Sequence, residues 1–200
     1  MATTTNPPAI KLLRTVGPLN EPVSVADAKK QLEIATTDTV HDVQLTNAII
    51  AAREQVEQDT PYACISQTFE VILDQFPCGT DPIPLPIRPV TSLSSVTYMD
   101  GSTQETLATT VADLDRKKRN LVLKYNQEWP SVEAQADGIV ITVVAGYPLQ
   151  ANVPRLIRQA ILLQVAKWFE DRDMMTPWTH DNIDVAYERI IRRLMRSSYP

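Results

Sequence analysis

Glycine, histidine and cysteine are all scarce here: five, two and two among 200 residues. The chain contains no glycine loop of the kind that cradles phosphate, no G-x-S-x-G and no H-E-x-x-H. His41 lies near the start of a predicted helix and His180 in a loop before another, and neither sits in a nucleophile motif. A Ser or Cys nucleophile would therefore lack a recognisable base. Cys64 and Cys78 show no C-x-x-C spacing and no histidines clustered beside them. That argues against a structural zinc site and a disulfide framework, and for two free thiols made in a reducing cytoplasm. No cofactor is implied.

Long apolar runs are also missing, so no membrane span is expected. The opening "MATTTNPPAI" lacks the basic and apolar regions of a signal peptide, and residues 1–20 read as a flexible arm. The expectation is a soluble chain made inside a cell. An excess of cations is absent too. The formal net charge is −5, which argues against a free-standing DNA binder that needs a basic face to displace counterions. It does not exclude a protein that surrounds DNA without gripping it.

What the chain has in plenty is proline, fifteen residues, so rigid turns and edges are favoured over flexible loops. Three blocks follow from periodicity. Residues 21–63 read as helical. In "PVSVADAKKQLEI" Ser24 precedes Asp27 by three, a capping-box variant, and Val23 and Ala28 hold the staple positions. A second helix runs through "VQLTNAIIAAREQVEQ", with Leu45, Ala48, Ile49, Ala52 and Val56 on one face and Arg53, Glu54 and Glu57 on the other. Residues 64–148 switch to period two and read as a small antiparallel sheet. "TFEVILD", "NLVLKY" and "GIVITVVAGY" are strands, and Asp100-Gly101 turns a hairpin. Residues 149–200 return to helix, through "VPRLIRQAILLQVAKWFEDRD" and "NIDVAYERIIRRLMR". The fold class is α+β: an N-terminal helical pair and C-terminal helices forming a helical bundle, with a small antiparallel sheet inserted.

Within the sheet block, "PIPLPIRP" alternates apolar residues with proline. Residues two apart in a strand aim their N–H groups at one edge. Pro82, Pro84 and Pro86 therefore strip donors from one edge, while Ile83, Leu85 and Ile87 keep theirs for the other. This predicts a strand at a sheet edge whose proline side is unpaired. A polyproline-like connector is the alternative for Pro82 to Pro84.

Candidate site residues are few. Glu170, Asp171 and Asp173 could gather a hard cation, but an arginine interrupts them at a helix end, where a solvated terminus accounts for the pattern. Arg116, Lys117, Lys118 and Arg119 form a basic run at a hairpin tip, either solvated or touching phosphate or an acidic partner. Trp129 and Trp178 sit in proline-bounded loops, as interface anchors or folded over the core. Leu156, Leu162 and Leu163 spread apolar surface around their helix, to be covered by the same domain or by a neighbour. Arg189, Arg192, Arg193 and Arg196 complement the negative end of the last helix dipole, and could also dock an acidic groove. No metal or catalytic constellation emerges, so the chain does not read as an enzyme. Glu/Asp pairing of the glycosidase kind finds no support in the pattern.

The order of segments carries a resemblance. "PVSVADAKKQLEI", "LTNAIIAAREQVE", "QTFEVILDQFP", "LPIRPVTSLSSVTYMDG", "DGIVITVVAGYP" and "VPRLIRQAILLQVAKWFEDRD" follow one another, from about Pro22 to Asp173. This is similar to the head–tail connector (head-completion, or adaptor) proteins of long-tailed bacteriophages and related gene-transfer particles. The resemblance implies a non-enzymatic virion protein, assembled in the host cytoplasm, forming a homo-oligomeric ring of about twelve copies beneath the portal protein. Such a ring extends the channel for double-stranded DNA without sequence-specific binding, and presents a platform to the next neck or tail protein. It further implies portal docking by Arg189, Arg192, Arg193 and Arg196, and an inter-subunit face at Leu156, Leu162 and Leu163. The alternative is a monomeric tail or baseplate module that binds through its β block.

Overall fold

The computed structural model describes residues 10–115, 119–170 and 181–196. The chain divides into two units: Gln67–Gly146 with the described residues up to Gly17, and Pro18–Ser66 with the described residues from Tyr147 on. Helices and antiparallel sheets are both present, so the class is α+β.

The first unit carries the strands β1 (Lys11–Val16), β2 (Gln67–Leu73), β3 (Ile83–Pro84), β4 (Val90–Asp100), β5 (Thr103–Thr106), β6 (Ala112–Asp115), β7 (Asn120–Leu123) and β8 (Ile139–Ala145). They form two sheets, where the sequence led us to expect one. A five-stranded sheet runs β1-β2-β8-β4-β5 and a three-stranded sheet runs β3-β7-β6. The centre of the larger sheet explains its period-two sequence. Phe69, Val71 and Leu73 on β2 and Ile139, Ile141 and Val143 on β8 are buried, while the residues between them are half-buried. Burying each such side chain stabilises the fold by roughly 1.5–3 kcal/mol. The pairing of Val71 with Ile141 is fixed by that alternation, since a one-residue slip would turn every apolar side chain outward. The predicted hairpin is present. β4 returns as β5 through Gly101 and Ser102, and Gly101 takes φ 62, which only glycine adopts freely.

β1 corrects the expectation of a flexible arm, because Lys11–Val16 pair antiparallel with β2. All six of its residues are exposed. The strand is held by backbone bonds along an edge, and a strand that buries nothing leaves no hydrophobic period to read. The proline segment behaves as its alternation requires. Ile83 pairs with Leu121, and the Leu85 N–H donates to the Arg119 carbonyl at 3.0 Å. Ile83, Leu85 and Ile87 are buried, Pro82, Pro84 and Pro86 are exposed, and β3 stands at the end of its sheet.

The second unit is built on α1 (Val25–Gln31), α2 (Asp42–Asp59), α3 (Arg155–Glu170) and α4 (Asp181–Arg196). The capping box forms at α1: the Asp27 N–H donates to Ser24 Oγ at 3.1 Å, and the Asp27 carboxylate accepts from the Ser24 N–H. Val23 and Ala28 are both buried. The four helices share one core, in which Leu45, Ile49, Ala52 and Val56 of α2 meet Ile157, Ala160, Ile161 and Val165 of α3, with Tyr187 and Leu194 of α4. Pro154 stands just before α3, and its carbonyl accepts from Ile157 and Arg158.

Arg53 departs from its expected place on the solvent side of α2. It is buried, 3% exposed, and its guanidinium meets Glu21 at 2.9 Å and Glu57 at 2.8 Å, with Glu54 at 3.5 Å. The Glu57 carboxylate also accepts from the Cys64 N–H at 2.9 Å, so the cluster ties α2 to the segment that follows it. A buried cation survives only when paired in this way.

Candidate functional site

Catalysis by the routes considered above needs groups gathered in a cleft, and the described residues do not gather them. Among them no cluster of three His, Cys, Asp or Glu side chains is placed to hold a metal ion. His41 precedes the first residue of α2 and lies edge-on to Phe169, with ring centroids 5.4 Å apart. Glu170 is exposed at the end of α3, while Asp171, Asp173 and His180 lie outside the described residues. Two cavities stand open to one ligand each in size. One, of about 460 Å³ in the helical unit, is lined by Val23, Ile49, Ile65 and Leu149 with Glu21 as its one carboxylate. The other, of about 420 Å³ in the β unit, has Glu128 as its one carboxylate.

Burial raises the Glu21 carboxyl above the usual carboxylate range, and the Arg53 guanidinium pulls against that rise. Burial likewise pushes the Cys64 thiol well up, which keeps it protonated and inert; Cys78 is the exposed thiol. Tyr187 is raised first by burial and then by the hydrogen bond it donates to Asp59 at 2.7 Å. The Tyr187 bond ties α4 to α2, and Glu21 ties the segment before α1 to Arg53 of α2.

The residues singled out as interface candidates fall into four groups. Trp129 takes the folded-back position: it is buried, stacks on Phe76 with centroids 5.4 Å apart, and donates its indole N–H to the Asp81 carbonyl at 3.0 Å. An anchor for a partner would have to be exposed, so this tryptophan serves its own unit. Trp178, Arg116, Lys117 and Lys118 lie outside the described residues; Arg119 sits in the turn before β7 with φ 58. Leu156 and Leu162 pack partly against the core of their own unit, and Leu163 is half-buried.

The four C-terminal arginines form the remaining surface. Arg189, Arg192, Arg193 and Arg196 are all exposed on α4, opposite the stripe of Tyr187 and Leu194 that enters the core. Arg192 bonds Glu188 at 2.7 Å one turn earlier. The helix is fastened behind them, by Tyr187 to Asp59 and by Lys167 of α3 to Asp184 at 2.7 Å. Val185 and Met195, 44% and 56% exposed, stand on the same outer side. Sequence spacing located these arginines. It gave no sign of the exposed Val185 and Met195 as their neighbours, because both fit a helix of any burial.

No protein-family model matches this chain, and no curated protein matches it. Among solved structures, the chain is similar to one in the neck of an empty gene transfer agent particle, computed with C6 symmetry. The two are 22% identical, with a TM-score of 0.69 over 90% of this chain and 94% of the other. A chain in the virion of the native gene transfer agent particle matches at the same identity and TM-score, over 89% and 93%. A chain in the native particle's neck, computed with C12 symmetry, matches at 21% identity and a TM-score of 0.69, over 90% and 94%. The fold described above is therefore shared, nearly end to end, with chains of those particles.

Proposed function

We propose that this chain is a structural subunit of the neck of a tailed-phage-like or gene-transfer particle: a head–tail connector, non-enzymatic, repeated in a ring around the DNA path beneath the portal. One observation carries the reading, the shared fold over 90% of the chain with a chain in the neck of a gene transfer agent particle. The C6 and C12 symmetry of those necks supports a ring of copies, a closed heterologous assembly in which two different faces meet. The formal charge of −5 supports passage of DNA without retention, since phosphates find few cations to bind. In this reading the exposed Arg189, Arg192, Arg193 and Arg196 of α4 dock the portal, and the opposite end of the ring receives the next neck or tail protein.

The test is an image of the neck in particles that contain this chain. Density for a ring of copies between portal and tail is expected. Particles whose necks form fully without the chain would overturn the reading.

A further inference from the structure

The cavity of about 460 Å³ in the helical unit combines apolar walls, a bare apolar lip and one charged group. Val23, Ile49 and Ile65 form the walls and are buried. At the lip Leu149 is 65% exposed, and Leu19, next to the lining residue Asn20, is 95% exposed. Glu21 is the charged group. Its Oε2 accepts from the Arg53 Nε at 2.9 Å, while Oε1 takes no hydrogen bond among the described residues. The Arg53 guanidinium is also shared with Glu54 and Glu57, so it does not answer Glu21 alone. Burial raises the Glu21 carboxyl, Arg53 pulls it back, and the charges of Glu57 and Glu54 raise it again. A second cation brought to Glu21 would therefore be held. The side-chain amides of Asn20 and Gln150 also line the cavity and make no hydrogen bond among the described residues.

We propose that this cavity receives an arginine side chain of a partner protein, its guanidinium on Glu21 and an apolar neighbour of that arginine on Leu149 and Leu19. Charge complementarity chooses the head group. A half-buried carboxylate with one oxygen uncommitted is where a charge-assisted hydrogen bond counts most. Arginine suits it better than lysine, because its planar fork carries five donors and can meet Glu21 Oε1 and the amide oxygens of Asn20 and Gln150 together. The aliphatic stem of the arginine then lies along Val23, Ile49 and Ile65. The exposed leucines choose a polypeptide over a small cation, which would fill the cavity and leave both of them bare. The proposal stands on the cavity and its charge, and goes beyond the neck reading.

Methyl-detected NMR of the full chain tests the assignment, with acetyl-Leu-Arg-Leu-amide as the probe. The peptide should shift the methyl signals of Val23, Ile49, Ile65 and Leu149. The same peptide with citrulline in place of arginine keeps the shape and loses the charge, and should bind about tenfold more weakly. Glu21→Gln keeps an acceptor for Arg53 and should erase that preference. Should Glu21→Gln unfold, Leu149→Lys replaces it at an exposed position: its ammonium competes for Glu21 and should erase the preference likewise. Methyl signals that do not move at millimolar peptide overturn the inference, and so does a citrulline peptide that binds equally well. A preference for arginine that survives the substitution overturns it too. Propylguanidinium, the arginine head and stem alone, should bind more weakly than the peptide; equal binding overturns docking of a partner protein and makes the cavity a small-molecule site.

Discussion

Arg53 shows how much one side chain can determine. Its partners come from three places: Glu57 one turn along α2, Glu54 beside it, and Glu21 from a segment 32 residues earlier. Replacing it with methionine keeps the volume and removes the charge, leaving Glu21 and Glu57 facing each other in a half-buried site. Breaking a buried pair from one side costs about 3–5 kcal/mol, and urea denaturation of Arg53→Met at pH 7.5 should show a loss of that order. The sign of its pH dependence is fixed. Glu21 is already raised in the folded state by burial, and without the cation it rises further. A carboxyl whose folded value is raised contributes stability below its unfolded value and loses it as pH climbs through the folded one. The deficit of the variant should therefore shrink as pH is lowered from 7.5 to 5. A deficit that does not change with pH would show that lost packing, not charge, is responsible. The sequence could not place Arg53 in the interior, since helical spacing puts it among Glu54 and Glu57 and says nothing of Glu21. Ser24 was legible for the opposite reason: its partner Asp27 is three residues away, so the local sequence contains the whole interaction.

At the scale of elements, β2, β8 and the four helices could be read because each buries one face and so writes a period into the chain. β1 could not, because it buries nothing and lives on backbone bonds to β2. The division into two sheets was hidden as well: β6 and β7 are four residues each, too short for a period to declare a partner. β3 is the instructive case, two residues long by its pairing yet legible through proline. Its alternation states which edge is paired and which is closed. Replacing Pro82, Pro84 and Pro86 together by threonine returns three donors to an exposed edge. Light scattering should then show concentration-dependent aggregation that wild type lacks, with native circular dichroism retained at low concentration. If the variant stays clear at every concentration, the prolines serve only to stiffen the segment.

For the whole molecule, the decisive geometry is a single hydrogen bond. The Ser66 N–H donates to the Tyr147 carbonyl at 3.0 Å, so the chain leaves the helical unit for the β unit and returns at one point. Both residues belong to the helical unit, whose core is complete in Val23 through Ile65 and Val153 through Leu194. Excising residues 67–146, joining Ser66 to Tyr147 through two glycines and starting the chain at Pro18 should leave a helical protein that melts cooperatively. A non-cooperative melt would mean that the helical unit depends on the β unit for its stability. The candidate contact surfaces belong to this scale too. The arginines of α4 stood out in the sequence as a run.

The doorway at Ser66 and Tyr147 also orders events in time. A chain emerging from the ribosome releases β1 and then α1 and α2, with half of the helices' core facing nothing. The β unit comes next and has every strand it needs once Ala145 is clear, β1 having been waiting since the start. Only after Val165 emerges can α3 cover α2. Domains fold as units during synthesis, so the inner unit closes before the outer one, and the apolar face of α2 is bare for the whole interval. A translating cell therefore holds a half-made helical unit for the length of about a hundred residues.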